Sequence, residues 1–183
     1  MKKIASGILV TILLISSTAI ADDKSVEKDL SVKRNADGSL SESSHYQNTD
    51  AAGVAHTSDI EHSQGKTWLG KDKATTKTKT VTDPSGPGNK TWKENETTLI
   101  TDNKGNVEKD VISQSVDAAG TARKITEEAQ RSVNSDGSSK TVISREVMVD
   151  PKGLGNKTVT KTEETVKQAA DGTVSKSVEH SVN

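Results

Sequence analysis

The feature that most constrains this chain is an internal repeat, because its glycines recur at an offset of 67 residues. The longest shared words have the same offset, since Asp83–Thr91 matches Asp150–Thr158. The turn-like words match better than the segments between them, a pattern typical of a repeated structural scaffold. The glycines related in this way are Gly38, Gly105 and Gly172, with the pairs Gly53 and Gly120, Gly70 and Gly137, Gly86 and Gly153, and Gly88 and Gly155.

Short segments that begin with Asn, Asp or Ala and have Gly in fourth place predict hairpin turns. They are Asn35–Gly38, Asp50–Gly53, Asp102–Gly105, Asp117–Gly120, Asn134–Gly137 and Ala169–Gly172. This pattern is typical of a type I turn followed by a glycine in the left-handed region. The Pro–Gly words at 83–88 and 150–155 predict longer loops, because proline cannot continue a hydrogen-bonded ladder. All glycines of the repeat are therefore predicted turn residues.

The segments between the turns predict β-strands. Aliphatic residues alternate with polar ones in 107–111 and 174–182, and 75–82 alternates Thr with Lys and Val. We therefore expect an all-β fold, an elongated antiparallel meander of about ten long strands, as a single-layer sheet or a loosely closed barrel. Residues 121–133 and 163–170 have helical propensity but are interpreted as strands, because they occupy strand positions in the repeat. A largely disordered chain is the alternative.

The first residues have the pattern of a secretory signal peptide. Lys2 and Lys3 are followed by the apolar run 4–15, and Ala19–Ala21 resembles a cleavage site. We expect residues 1–21 to be the signal peptide and 22–183 the β-repeat region, divided as 22–88, 89–155 and a partial 156–183. Export through the Sec pathway to the periplasm, cell surface or extracellular space follows, with no membrane span in the mature chain.

The composition limits the size of a hydrophobic core. Aromatic residues make up 2% of the chain, and Phe and Cys are absent. The three aromatic residues are Tyr46, Trp68 and Trp92. We expect them to anchor a thin core, and exposed they would instead form a sugar-stacking or partner-binding patch.

The charge pattern does not favour nucleic acid as a partner. The chain has 25 Lys and Arg against 26 Asp and Glu, and these alternate along the same segments rather than forming a basic region. No catalytic motif is present, so we expect no enzyme and no cofactor. His56 and His62 are interpreted as solvated residues of one strand face, and Asp102–Asn106 as a turn rather than a calcium loop.

These observations predict an exported non-enzymatic β-repeat protein with a structural or adhesive role at a bacterial cell surface, in the periplasm or in the extracellular matrix. A glycan- or calcium-binding module and a disordered hydrophilic periplasmic protein are the alternatives. The expected partners are an envelope or matrix polymer, or a second copy that associates through a sheet edge.

Overall fold

The computed structural model describes residues 25–84, 90–153 and 155–183. Within these ranges all regular elements are strands. Their bounds are β1 Ser25–Arg34, β2 Leu40–Thr49, β3 Ala55–Lys66, β4 Asp72–Asp83, β5 Thr91–Thr101, β6 Val107–Val116, β7 Ala122–Val133, β8 Ser139–Asp150, β9 Thr158–Gln168 and β10 Val174–Val182. The predicted signal peptide and the region boundary after residue 21 lie outside the described residues.

The strands form one 10-stranded sheet in sequence order, and each pairs antiparallel with its neighbours along the chain. β1 and β10 lie at opposite edges, so the sheet is open and single-layered. This confirms the all-β meander and excludes the closed barrel and the disordered chain. β7 and β9 confirm the strand interpretation of 121–133 and of most of 163–170, where helical propensity yields to cross-strand pairing.

Each tight turn is closed by the same two backbone hydrogen bonds. At the first turn the Gly38 amide donates to the Asn35 carbonyl at 3.0 Å, and the Asn35 amide donates to the Ser39 carbonyl at 2.9 Å. Gly38 has a φ of 82°, a conformation that is costly for residues with a Cβ atom. This is a type I turn with a glycine bulge, and its twist matches that of the flanking strands.

The strand bounds follow the offset seen in the sequence. β3 begins at Ala55 and β7 at Ala122, while β4 begins at Asp72 and β8 at Ser139. The repeat itself stays a prediction, because shared bounds are a weaker statement than similarity of whole units.

The sheet has no hydrophobic core in the part of the chain described. None of its hydrophobic side chains is buried, and the one buried polar residue is Ser139. The expectation that aromatic residues anchor a thin core is therefore wrong, because a single layer has no opposing layer to cover them. Stabilisation comes from the backbone ladders and from cross-strand pairs, each worth about 0.2–1 kcal/mol.

Candidate functional site

The candidate functional regions are the two open faces of the sheet. Directly opposite residues of paired strands share a face, so the register assigns every strand residue to one of them. The face that we call the aliphatic face carries the even-numbered residues of β1–β4, β9 and β10 and the odd-numbered residues of β5–β8. The remaining strand residues form what we call the charged face.

The two faces differ in charge as well as in apolar content. On the aliphatic face basic residues outnumber acidic ones, whereas acids predominate on the charged face. The four acidic residues of the aliphatic face are Glu42, Asp72, Glu127 and Glu164. The basic residues of the aliphatic face are Lys28, Arg34, Lys66, Lys93, Lys109, Arg123, Arg131, Arg145 and Lys176. The sheet therefore presents surfaces of opposite charge balance, although the whole chain is nearly neutral.

A ladder of alternating charges crosses the charged face. Asp29, His45, Asp59, Lys79 and Glu94 lie directly opposite one another on five consecutive strands, β1 to β5. His45 Nδ1 lies 2.5 Å from Asp59 Oδ1. This hydrogen bond is the main cause that raises the pKa of His45, and the charges of nearby acids add to it. Protonation of His45 therefore strengthens its link to Asp59.

A shallow groove of about 350 Å³ lies along this ladder. On the charged face its lining also includes Ser31, Ser43, Glu61 and Lys77. Leu30 and Ile60 also contribute to the lining, so the groove presents both polar and apolar surface.

The predicted aromatic residues are not brought together. Tyr46 lies on the aliphatic face, where Lys28 Nζ is 5.5 Å from its ring centroid and Asn48 donates a hydrogen bond to its hydroxyl at 3.2 Å. Trp92 lies on the charged face, half-buried between the opposing residues Val81 and Val116. These two rings therefore pack against neighbouring side chains of the sheet.

Trp68 has a different position, because it lies in the turn that joins β3 to β4. The Gly70 amide donates to the Thr67 carbonyl at 2.8 Å, which places Trp68 and Leu69 at the two central positions of the turn. Trp68 is 92% exposed and Leu69 is 63% exposed. Trp68 is thus available to stack on a ligand.

Eight of the predicted turn glycines have the left-handed conformation that a tight turn favours. Positive φ occurs at Gly38, Gly53, Gly70, Gly105, Gly120, Gly137, Gly153 and Gly172. Gly155 is not among the residues with positive φ, and Gly86 and Gly88 lie outside the described residues. These glycines shape the backbone and carry no side-chain chemistry.

Carboxylates in the turns hydrogen-bond to the turns themselves. Asp102 accepts hydrogen bonds from the backbone amides of Lys104 and Asn106, at 2.8 and 3.0 Å, and from the Asn106 side-chain amide at 2.8 Å. The Asn106 side chain is the main cause that lowers the pKa of Asp102. Among the described residues, no three His, Cys, Asp or Glu side chains lie close enough together to hold a metal ion.

His56 and His62 share the aliphatic face but bind different partners. His62 Nδ1 is 2.8 Å from the hydroxyl oxygen of Thr76, and His56 Nδ1 is 3.3 Å from that of Thr82. Each histidine thus has its own threonine on β4, and the strand residues between them hold them apart.

The contact between His45 and Asp59 is the feature that the sequence reasoning missed. The turn Asp50–Gly53 predicts this contact, because residues equally distant from the centre of a hairpin turn pair with each other. His45 therefore lies opposite Asp59. Reading cross-strand partners outward from each turn would have found it.

Neither a protein family, nor a curated protein, nor a solved structure matches this chain. Across the described ranges, no helix is sufficiently long and apolar to cross a membrane.

Proposed function

We propose that this chain is an exported, non-enzymatic β-repeat protein with a structural or adhesive role at a bacterial cell surface, in the periplasm or in the extracellular matrix. The observation that carries the proposal is the open sheet without a buried hydrophobic side chain among the described residues. Its chemistry is spread over two long faces, and such a surface suits an extended partner better than a small substrate.

The aliphatic face has the chemistry to hold an anionic polymer of the envelope or matrix. Arg123, Arg131 and Arg145 lie exposed on the adjacent strands β7 and β8 of this face. None of them takes part in the ion pairs found between described residues. Guanidinium groups bind carboxylates and phosphates through paired hydrogen bonds, so a polymer bearing these groups is the expected partner.

Charge-reversal variants on the two faces test this adhesive role. Changing Arg123, Arg131 and Arg145 together to Glu should abolish retention of the mature protein on an immobilised anionic envelope polymer. The matched control changes Lys73, Lys124 and Lys140 to Glu, which alters the net charge equally but on the charged face. Equal losses in both variants would show attraction to overall charge and contradict a binding face.

Localisation tests the structural role. An epitope-tagged chain should appear in the periplasmic, surface or matrix fraction, and a deletion strain should lose envelope integrity or surface attachment. Retention in the cytoplasm, or an exported protein whose loss changes neither property, would overturn the proposal.

A glycan-binding module is the second candidate, favoured by the exposure of Trp68 at the turn between β3 and β4. An exposed indole can stack on the apolar face of a sugar ring. In Trp92→Phe the remaining tryptophan is Trp68, so added oligosaccharides should shift its fluorescence. In the control Trp68→Phe the same sugars should leave the fluorescence unchanged. An unchanged spectrum in both variants would remove this candidate.

A further inference from the structure

We infer that this chain associates edge to edge with a second copy of itself, through antiparallel pairing of β10 in one molecule with β1 in the next. The inference rests on the proposed structural role and names a partner for it. Both edge strands are long, at 10 residues for β1 and 9 for β10. A long exposed edge is a template for pairing with another strand.

The backbone groups that point outward at the two edges belong to residues of one face. At β10, Asn183 and Val159 exchange both backbone hydrogen bonds at 2.9 Å. Because bonding alternates along a strand, the odd-numbered residues of β10 bond to β9 and the even-numbered ones point outward. At β1 the Asn35 amide donates to the Ser39 carbonyl, so the odd-numbered residues of β1 bond to β2 and the even-numbered ones point outward. Outward groups at both edges thus belong to even-numbered residues, on the aliphatic face.

The number of strands makes these two edges complementary. In a 10-stranded meander β1 and β10 run in opposite directions. A copy translated across the sheet therefore places its β1 antiparallel to β10, which continues the alternation of the meander. Because the outward groups at both edges belong to the same face, their hydrogen bonding leaves the aliphatic faces of the two copies continuous.

The exposed aliphatic side chains concentrate at the same two edges. On β1, Leu30 is 73% exposed and Val32 is 59% exposed, and on β10 the residues Val174, Val178 and Val182 are 54–62% exposed. All of them lie on the aliphatic face. Edge pairing would bring Leu30 and Val32 of one copy beside Val178 and Val182 of the next, whereas an isolated sheet leaves them in water.

Electrostatics distinguishes three registers that differ by two residues each. With Leu30 opposite Val182, Lys33 lies opposite Glu179, and no like charges face each other. Shifting β1 by two residues to set Val32 opposite Val178 brings Arg34 opposite Lys176. A further shift of two brings Asp29 opposite Glu179, so we assign the first register. Such a contact joins different surfaces of two identical chains and extends as a ribbon rather than closing.

Cysteine cross-linking tests this register directly, because the chain has no native cysteine. In the assigned register Ser31 lies opposite Ser181 in a non-hydrogen-bonded pair, whose Cα separation of about 4.5 Å permits a disulfide. Oxidised Ser31→Cys/Ser181→Cys should give a ladder of covalent multimers on a denaturing gel. Ser31→Cys/Ser177→Cys, shifted by four residues, is the matched control and should give few multimers. Dimers that form equally well with Ser181→Cys alone would indicate β10–β10 pairing and overturn the head-to-tail arrangement.

Sedimentation velocity tests the association without cross-links. The mature chain should form larger species with rising concentration, and Val178→Pro should remain monomeric because it lacks one outward amide. Val178→Thr retains that amide and serves as the control. Leu30→Lys/Val182→Lys repeats the test without proline, should Val178→Pro lose its strand spectrum. A monomer at every concentration with no cross-linked ladder would overturn the inference. Localisation and polymer binding would then still decide the proposed role independently.

Discussion

Two turns at the same end of the sheet share one pattern of backbone hydrogen bonds but expose different side chains. Thr67–Gly70 joins β3 to β4 and Asn134–Gly137 joins β7 to β8, and both are closed by a glycine amide that donates to the first carbonyl, at 2.8 and 3.1 Å. In the second turn Asp136 accepts hydrogen bonds from the amide and hydroxyl of Ser138, at 2.9 and 2.7 Å.

The first turn has hydrophobic residues where the second has polar ones. Its Thr67 hydroxyl accepts a hydrogen bond from the Lys71 amide at 3.1 Å, while Trp68 and Leu69 are exposed. Glycine and the backbone hydrogen bonds therefore determine the turn, and its central side chains are available for other tasks.

The largest expected effect comes from the glycines that both turns share. Gly70→Val and Gly137→Val place a β-branched residue at positive φ, where φ is 77° and 85°. We expect each to lower the free energy of unfolding by about 1–3 kcal/mol, measured by urea denaturation. Similar losses would show that the backbone of the two turns is equivalent. Ser175→Val, on the exposed strand β10 where an extended backbone accepts a β-branched residue, is the control.

The next largest effect should be a difference between the two turns in how strongly acid reduces stability. The hydroxyl and amide of Ser138 lower the pKa of Asp136 below its ordinary value of 3.8. A lowered folded-state pKa means that the stabilisation is complete above pH 3.8 and is lost as pH falls through the folded-state value. Asp136→Asn should therefore weaken the fall in thermal midpoint below pH 4, whereas Leu69→Asn should leave it unchanged. Equal acid sensitivity in both variants would contradict the assignment to Asp136.

A smaller pH effect of opposite sign is expected from the paired strands β2 and β3. The pKa of His45 is raised from 6.5 mainly by its hydrogen bond to Asp59. A raised folded-state pKa means that the stabilisation is complete below pH 6.5 and is lost as pH rises through the folded-state value. The thermal midpoint should fall over this range, and Asp59→Asn should flatten the fall. His180→Gln, on the exposed edge strand, is the control, and a persistent slope in Asp59→Asn would reject the pairing.

The smallest effect on stability is expected at Trp68. Trp68→Ser removes an exposed side chain from a turn that is closed by backbone bonds, so the free energy of unfolding should change by less than about 0.5 kcal/mol. Trp92→Ser should cost more, because Trp92 is half-buried beside Val81 and Val116. Thermal denaturation of both variants checks this contrast, and a large loss in Trp68→Ser would show a structural role for the indole.

Much of the fold was predictable because its signals are local. Asp50–Gly53 and the other Gly-containing words predict turns from backbone conformation alone, and alternation in 174–182 predicts a strand from its period. The candidate surfaces were less predictable. The three aromatic residues were expected in a core, whereas Trp68 lies exposed in a turn and no described hydrophobic side chain is buried. Burial depends on whether a second layer of secondary structure exists, and no short sequence motif encodes that.

The sequence by itself determined where the chain turns, which segments alternate and how many strands the meander holds, because glycine conformation and strand period act within a few residues. Only the tertiary structure decided that the sheet stays open, that His45 meets Asp59, and that the two faces differ in their balance of basic and acidic residues. These properties depend on register and on closure, which join residues from different strands and are settled by the pairing of the whole sheet.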